Sequence, residues 1–120
     1  MADRFEDHRG IIQDILAGPI DQVTTIFTRA GHVRGNHTHP KTSQWVYVVA
    51  GLLLISHDGE EFTAAAGRLI SEPADKPHAW KAITDCTVLV FTNGPRSGEN
   101  YESDTVRLPE SQWLLRPGMS

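Results

Sequence analysis

A chain of 120 residues and 13.3 kDa can bury one core and is too short for two ordinary domains. Its net charge of -4 and pI of about 5.8 offer no basic surface for nucleic acid or an anionic membrane, and no apolar run approaches the ~20 residues of a membrane helix. One cysteine, Cys86, excludes an internal disulfide, and MADRFEDHRG has no apolar leader run, so a reducing cytoplasm is the expected compartment.

Residues 1–10 are charged and aperiodic, and are expected to lie over the surface, with the ordered part beginning at IIQDIL. Gly18-Pro19 marks a turn, and QVTTIFT at residues 22–28 is β-branched enough to read as a strand. Residues 31–51, GHVRGNHTHPKTSQWVYVVAG, carry the chemistry. Alternate side chains share one face of a strand, so His37 and His39 point the same way and can grip a metal ion. Pro40 lacks the N–H that a ladder needs, so the chain turns over residues 40–43 and returns as QWVYVV with Gln44 facing the pair. A tight turn is expected at Ala50-Gly51, and Asp58-Gly59 between extended runs is a strong hairpin signal.

Farther on, GRLISEPADKPHAW starts a short strand near Gly67, turns at its prolines, and brings His78 toward the first two imidazoles. Further strands are expected over residues 78–82 and, after a turn at Thr84-Asp85, over residues 86–92. Strands this short, punctuated roughly every eight residues, indicate an all-β sandwich or barrel.

The tail from Asn93 is rich in Gly, Pro and charge, yet Tyr101, Val106, Leu108, Trp113, Leu114 and Leu115 give it apolar anchors that a disordered segment rarely has. It reads as an extended arm with a short helix over residues 109–115, packed on its own barrel or a neighbour's. The chain is thus expected to be one domain, with a barrel core at about residues 11–93 and an arm over 94–120. Apolar tail segments on so small a domain, together with an exposed edge strand, point to a homodimer.

These motifs resemble those of the cupins. The first cupin motif, Gly, five residues, His-x-His, four residues, Glu, six residues, Gly, maps onto Gly31, His37, His39, Gln44 and Gly51, with glutamine at the glutamate position. The second maps onto Gly67, Pro73, Asp75, His78 and Ala82, with Asp75 in place of glycine and Ala82 in place of asparagine. The resemblance implies a double-stranded β-helix, or jelly-roll barrel, and one divalent metal ion (Zn, Fe, Mn or Ni) on His37, His39 and His78. Gln44 is then either a fourth ligand through its amide oxygen or a hydrogen-bonding partner of the substrate.

Trp80 shares strand parity with His78 and should wall the cavity, and Arg34 and Lys76 flank the motifs where an anion can be held. His8, His32 and His57 read as ordinary surface residues. Three neutral imidazoles and an amide leave a 2+ charge uncompensated, which favours an anionic, oxygenated small-molecule ligand. A metal ion of that kind polarises a carbonyl and stabilises an enolate, so an isomerase or epimerase is the expected enzyme. A binding protein without turnover, a cupin dioxygenase and a bare scaffold are the alternatives. The run Arg34-Gly35-Asn36-His37-Thr38-His39 also resembles cupins of bacterial surface-polysaccharide synthesis, and Asp7-His8-Arg9-Gly10 is similar to the entry segment of sugar 3,5-epimerase-like cupins.

Overall fold

The computed structural model describes residues 4–94 and 104–118. In chain order the described residues form β1 (Arg4–Asp7), β2 (Gly10–Gln13), β3 (Gln22–Thr28), β4 (Val33–Thr38), β5 (Ser43–Ala50) and β6 (Leu52–His57). There follow β7 (Glu60–Ala65), β8 (Leu69–Glu72), β9 (His78–Ala82), β10 (Cys86–Asn93), β11 (Val106–Arg107) and a 3-10 turn at Glu110–Gln112. A four-stranded sheet runs in the order β3-β10-β5-β8 and a five-stranded sheet in the order β11-β4-β9-β6-β7, with antiparallel pairing throughout. Their facing surfaces close a jelly-roll barrel, the architecture that the motifs imply.

Period-two burial builds the core. Val46 and Val48 of β5, Ile70 of β8 and Val88 and Val90 of β10 point inward from one sheet. Leu53 and Ile55 of β6, Ala64 of β7, and Trp80 and Ala82 of β9 meet them from the other. The same inward rows then change character at one end. Gln44 continues the row of Val46 and Val48, Thr92 that of Val88 and Val90, Glu72 that of Ile70, His57 that of Leu53 and Ile55, and His78 that of Trp80. A barrel with an apolar body therefore has one polar end, which is where the candidate ligands lie.

The tight turn expected at Ala50-Gly51 is present and forms a corner, because β5 and β6 belong to different sheets. Gly51 adopts φ +96°, and its α-carbon packs against Asp85 and Cys86 so closely that no side chain fits. Residues 4–10 are mostly exposed, as expected, but ordered: β1 and β2 form a hairpin whose turn Asp7 closes by accepting hydrogen bonds from the Arg9 backbone N–H (2.9 Å) and guanidinium (2.7 and 3.1 Å). The helix expected over residues 109–115 shrinks to the single 3-10 turn, and Tyr101 lies outside the described residues. By contrast Asp58-Gly59 is the expected hairpin turn, with both residues at positive φ (47° and 77°).

The arm packs on its own barrel at a β-bulge. Asn36, buried and at φ +57°, is the extra residue between Gly35 and His37 in the β4–β9 ladder. Its amide donates to the Leu115 carbonyl (2.9 Å) and its side-chain oxygen accepts from the N–H groups of Leu114 (2.8 Å) and Leu115 (3.2 Å). The bulge offsets the pleat by one residue, so that Arg34 lies opposite Trp80 and His37 lies opposite His78.

Candidate metal centre

The bulge in β4, the end of β9 and the turn after β4 bring three imidazoles together. One ring nitrogen from each of His37, His39 and His78 lies within 4.8 Å of the other two. The ring centroids are separated by 4.4 Å for His37 and His39, 4.9 Å for His37 and His78, and 5.5 Å for His39 and His78. His39 and His78 are buried at 1% and 5% exposure, and His37 is partly buried and lines the cavity. Gly35 makes the convergence possible, since a Cβ there would stand 2.7 Å from the His78 carbonyl oxygen.

Hydrogen bonds bias the tautomer of one ring. His39 Nδ1 lies 3.3 Å from the Asp104 carbonyl oxygen, which can only accept, and 3.4 Å from the Thr105 hydroxyl, which can do either, so the pair favours the proton on Nδ1. His39 Nε2 then carries the lone pair and faces His37 Nε2 at 3.1 Å, a spacing that either a shared proton or a shared cation can bridge. Asp104 is itself locked by the Thr42 hydroxyl (2.6 Å) and the Lys41 backbone N–H (3.1 and 3.2 Å). A ring nitrogen whose partner nitrogen donates to a backbone carbonyl is the arrangement that metal-binding histidines adopt. Burial, followed by the neighbouring His39, pushes His78 down to about 4, with the Lys76 carbonyl partly offsetting them, so this ring stays neutral and its lone pair available at physiological pH. Three converging imidazoles, of which His39 has its Nδ1 against a carbonyl and His78 is held neutral by burial, fit a divalent cation.

The cavity in front of the histidines has a volume of about 200 Å³ and is lined by Arg34, His37, Gln44, His78 and Trp80 over a floor of Val46 and Val90. It is smaller than the ~300–1,000 Å³ of drug-sized ligand sites, and suits a small molecule or the reacting end of a larger one. Gln44 is 6% exposed and Trp80 is the buried wall expected from its parity with His78. Arg34 lines the cavity, and its guanidinium donates to the Thr28 hydroxyl and the Phe27 carbonyl (both 3.2 Å). Lys76 lies elsewhere, on an outer groove with Asp58 and Asp75, where its ammonium is 3.9 Å from Asp58. His8 and His32 are exposed as expected. Asp75 takes φ +67°, so it occupies the left-handed position of the family's glycine at a conformation that aspartate tolerates.

His57 is not a surface residue. It points inward on β6, directly opposite His78 on β9, and its Nδ1 is 2.9 Å from Glu72 Oε1. Glu72, 2% exposed, was not among the expected site residues. Burial pushes its carboxyl up to about 7, against the opposing pull of His57, so near neutral pH the polar end of the barrel holds a titrating acid. The signal for both lay in strand parity: Leu53, Ile55 and His57 alternate, as do Ile70 and Glu72.

A model of the Cupin domain matches residues 26–92. A curated relative, polyketide synthase CurC of Streptomyces cyaneus, is 35% identical over 57 residues, which span 48% of this chain and 37% of the relative's own length. The solved structure of ChmJ, a 3'-monoepimerase from Streptomyces bikiniensis in complex with dTDP-quinovose, superposes over 99% of this chain and 76% of its own, with TM-score 0.78 and 17% identity. QdtA, a sugar 3,4-ketoisomerase from Thermoanaerobacterium thermosaccharolyticum in complex with TDP, superposes over 92% of this chain and 87% of its own, with TM-score 0.69 and 19% identity. At such identities the likeness is one of fold.

Proposed function

Because this chain belongs to the cupin family, we propose that His37, His39 and His78 hold one divalent metal ion at the polar end of the barrel. We further propose that the cavity handles a small oxygenated, anionic or sugar-derived substrate by isomerase- or epimerase-type proton transfer. The observation that carries this reading is the convergence of three imidazoles, two of them on the wall of a cavity that Arg34 also lines. A bound divalent ion supplies Lewis-acid polarisation of a substrate oxygen. The protein's own groups do the rest. Arg34 attracts the anionic part, Gln44 meets the substrate or the ion through its amide oxygen, Trp80 packs against an apolar face, and the Asp104 carbonyl keeps His39 in one tautomer.

Protein purified without added metal is expected to contain close to one equivalent of a divalent ion by elemental analysis. His37→Ala and His78→Ala should fold and lose at least about 90% of it, since removing one of three ligands forfeits most of the site's affinity. Folded variants with wild-type metal content would overturn the assignment. Proton transfer is read separately, as deuterium washed from D2O into a nucleotide-linked keto-sugar. Tight binding without deuterium incorporation would identify a binding protein.

The His37–His39 hydrogen bond of 3.1 Å favours a second reading, in which the pair itself passes a proton without metal. Chelator treatment separates the two: deuterium incorporation that survives removal of the ion assigns the chemistry to the imidazole pair.

The protein is proposed to act as a homodimer. Val23, Phe27 and Val49 are about half exposed on the outer face of the four-stranded sheet (54%, 50% and 46%), and the β1–β2 hairpin exposes Phe5, Ile11 and Ile12 (56%, 54% and 67%). Apolar groups in such number on one small chain call for cover by a second copy. Light scattering at micromolar concentration should give twice the chain mass, and Phe27→Asp should shift it toward the monomer. A monomeric wild-type mass would refute the dimer.

A further inference from the structure

The first cupin motif here has glutamine at residue 44, yet the polar end of the barrel is not without a carboxylate. Glu72 on β8 stands directly across the ladder from Gln44 on β5, and His57 on β6 stands directly across from His78 on β9. The two pairs face each other from opposite sheets and meet through one side chain. Glu72 Oε1 takes the His57 Nδ1–H at 2.9 Å, and Glu72 Oε2 lies 3.8 Å from His78 Nδ1. Both of those last two atoms are buried and neither makes a hydrogen bond. Two orphaned polar atoms aimed at each other are costly unless a state exists in which they pair.

We infer that Glu72 is the carboxylate of this site, supplied from β8, and that it positions His78 by accepting its Nδ1–H while His57 anchors the other oxygen. The inference rests on the three-histidine reading of the centre. His57 holds one oxygen of the carboxylate and leaves the other 3.8 Å from His78 Nδ1, a gap that a shift of a few tenths of an ångström in each side chain would close. Hydrogen bonds of this kind are often long until a ligand seats, and then tighten. Acceptance from Nδ1 fixes the His78 proton there and leaves Nε2 with the lone pair, which is the role the Asp104 carbonyl plays for His39. Glu72 is a positioning residue and not itself one of the converging ligands, because its oxygens do not join the group that lies within 4.8 Å. The competing account gives the whole task to the Lys76 backbone carbonyl, which also acts on the His78 ring.

Glu72→Gln decides between them. With its amide oxygen taken by His57 Nδ1–H, the variant presents an N–H₂ donor to His78 Nδ1 and should drive His78 to the Nε2–H tautomer. Two readouts apply, and neither is activity. In metal-free protein, long-range ¹H–¹⁵N correlation spectra of the imidazoles should show His78 protonated at Nδ1 in the wild type and at Nε2 in Glu72→Gln. In Co²⁺ titrations the variant should bind about 10–100-fold more weakly, the usual penalty for losing a partner behind a ligating histidine. A folded Glu72→Gln that keeps both the wild-type tautomer and Co²⁺ affinity within about 3-fold would overturn the inference and leave the Lys76 carbonyl as sole positioner. Should wild-type protein bind no Co²⁺, the metal reading fails, while the tautomer in metal-free protein still decides the role of Glu72.

Discussion

Gln44→Glu is expected to tighten binding of a divalent ion by about 10–100-fold and to weaken binding of citrate or phosphate to the metal-loaded protein by at least about 10-fold. Gln44 is nearly buried on the cavity wall at the histidine end of the barrel. A carboxylate there adds an anionic oxygen donor, a better partner for a hard or borderline cation than a neutral amide. The same charge cancels one unit of the site's excess at short range, where an effective dielectric near 20 still leaves several kcal/mol between charges ~4 Å apart, so an incoming anion loses affinity. The ladder adds a third consequence. Residue 44 pairs with Glu72, so without metal the variant holds two carboxyls side by side in a buried place, and one of them must stay protonated. Metal-free Gln44→Glu should therefore melt below the wild type above pH 7, and recover when metal is added. If metal and anion affinities both stay at wild-type values, Gln44 lies outside the working site and the charge argument falls with it.

Gly51→Ala should be the most damaging small substitution for the fold. The residue sits at φ +96°, which an L side chain rarely adopts, and the added Cβ would collide with the Asp85 carbonyl oxygen and stand 2.9 Å from the Cys86 α-carbon. Strain at such a φ costs about 1–3 kcal/mol, and overpacking against backbone adds a similar amount. A loss of about 3–5 kcal/mol is a large part of the 5–15 kcal/mol that holds a domain together. Thermal unfolding should come at least about 10 °C lower than in the wild type. The corner is placed wrongly if the melting temperature moves by less than about 2 °C.

Much of the barrel was legible because alternation along a strand is a strong constraint when one face is buried. The run QVTTIFT became β3 with the expected ends, and Asp58-Gly59 became the β6–β7 turn. What escaped was the part that depends on pairing between distant strands. No local signal says that β5 leaves one sheet and β6 enters the other at Gly51, since a glycine after a strand serves a hairpin and a corner equally well. The N-terminal hairpin escaped because its turn is closed by the Asp7 side chain among charged neighbours rather than announced by an apolar period. Within the site, the histidines were legible from spacing. Glu72 was not, because a glutamate before Pro73 reads as a solvated turn residue unless its parity with Ile70 is followed through the end of the strand.

The Asn36 latch has a kinetic meaning. β4 is an interior strand only because β11 lies on its outer side, opposite His37 and Thr38, and the arm also delivers the Asp104 carbonyl to His39. Lifting the arm would strip His39 of the acceptor that fixes its tautomer and leave β4 as an open edge, so loosening of the ligand set and fraying of the tail become one event. On the proposed reading, loosening of the hold on the ion is therefore coupled to opening of the arm, and the Asn36 contacts to Leu114 and Leu115 resist both.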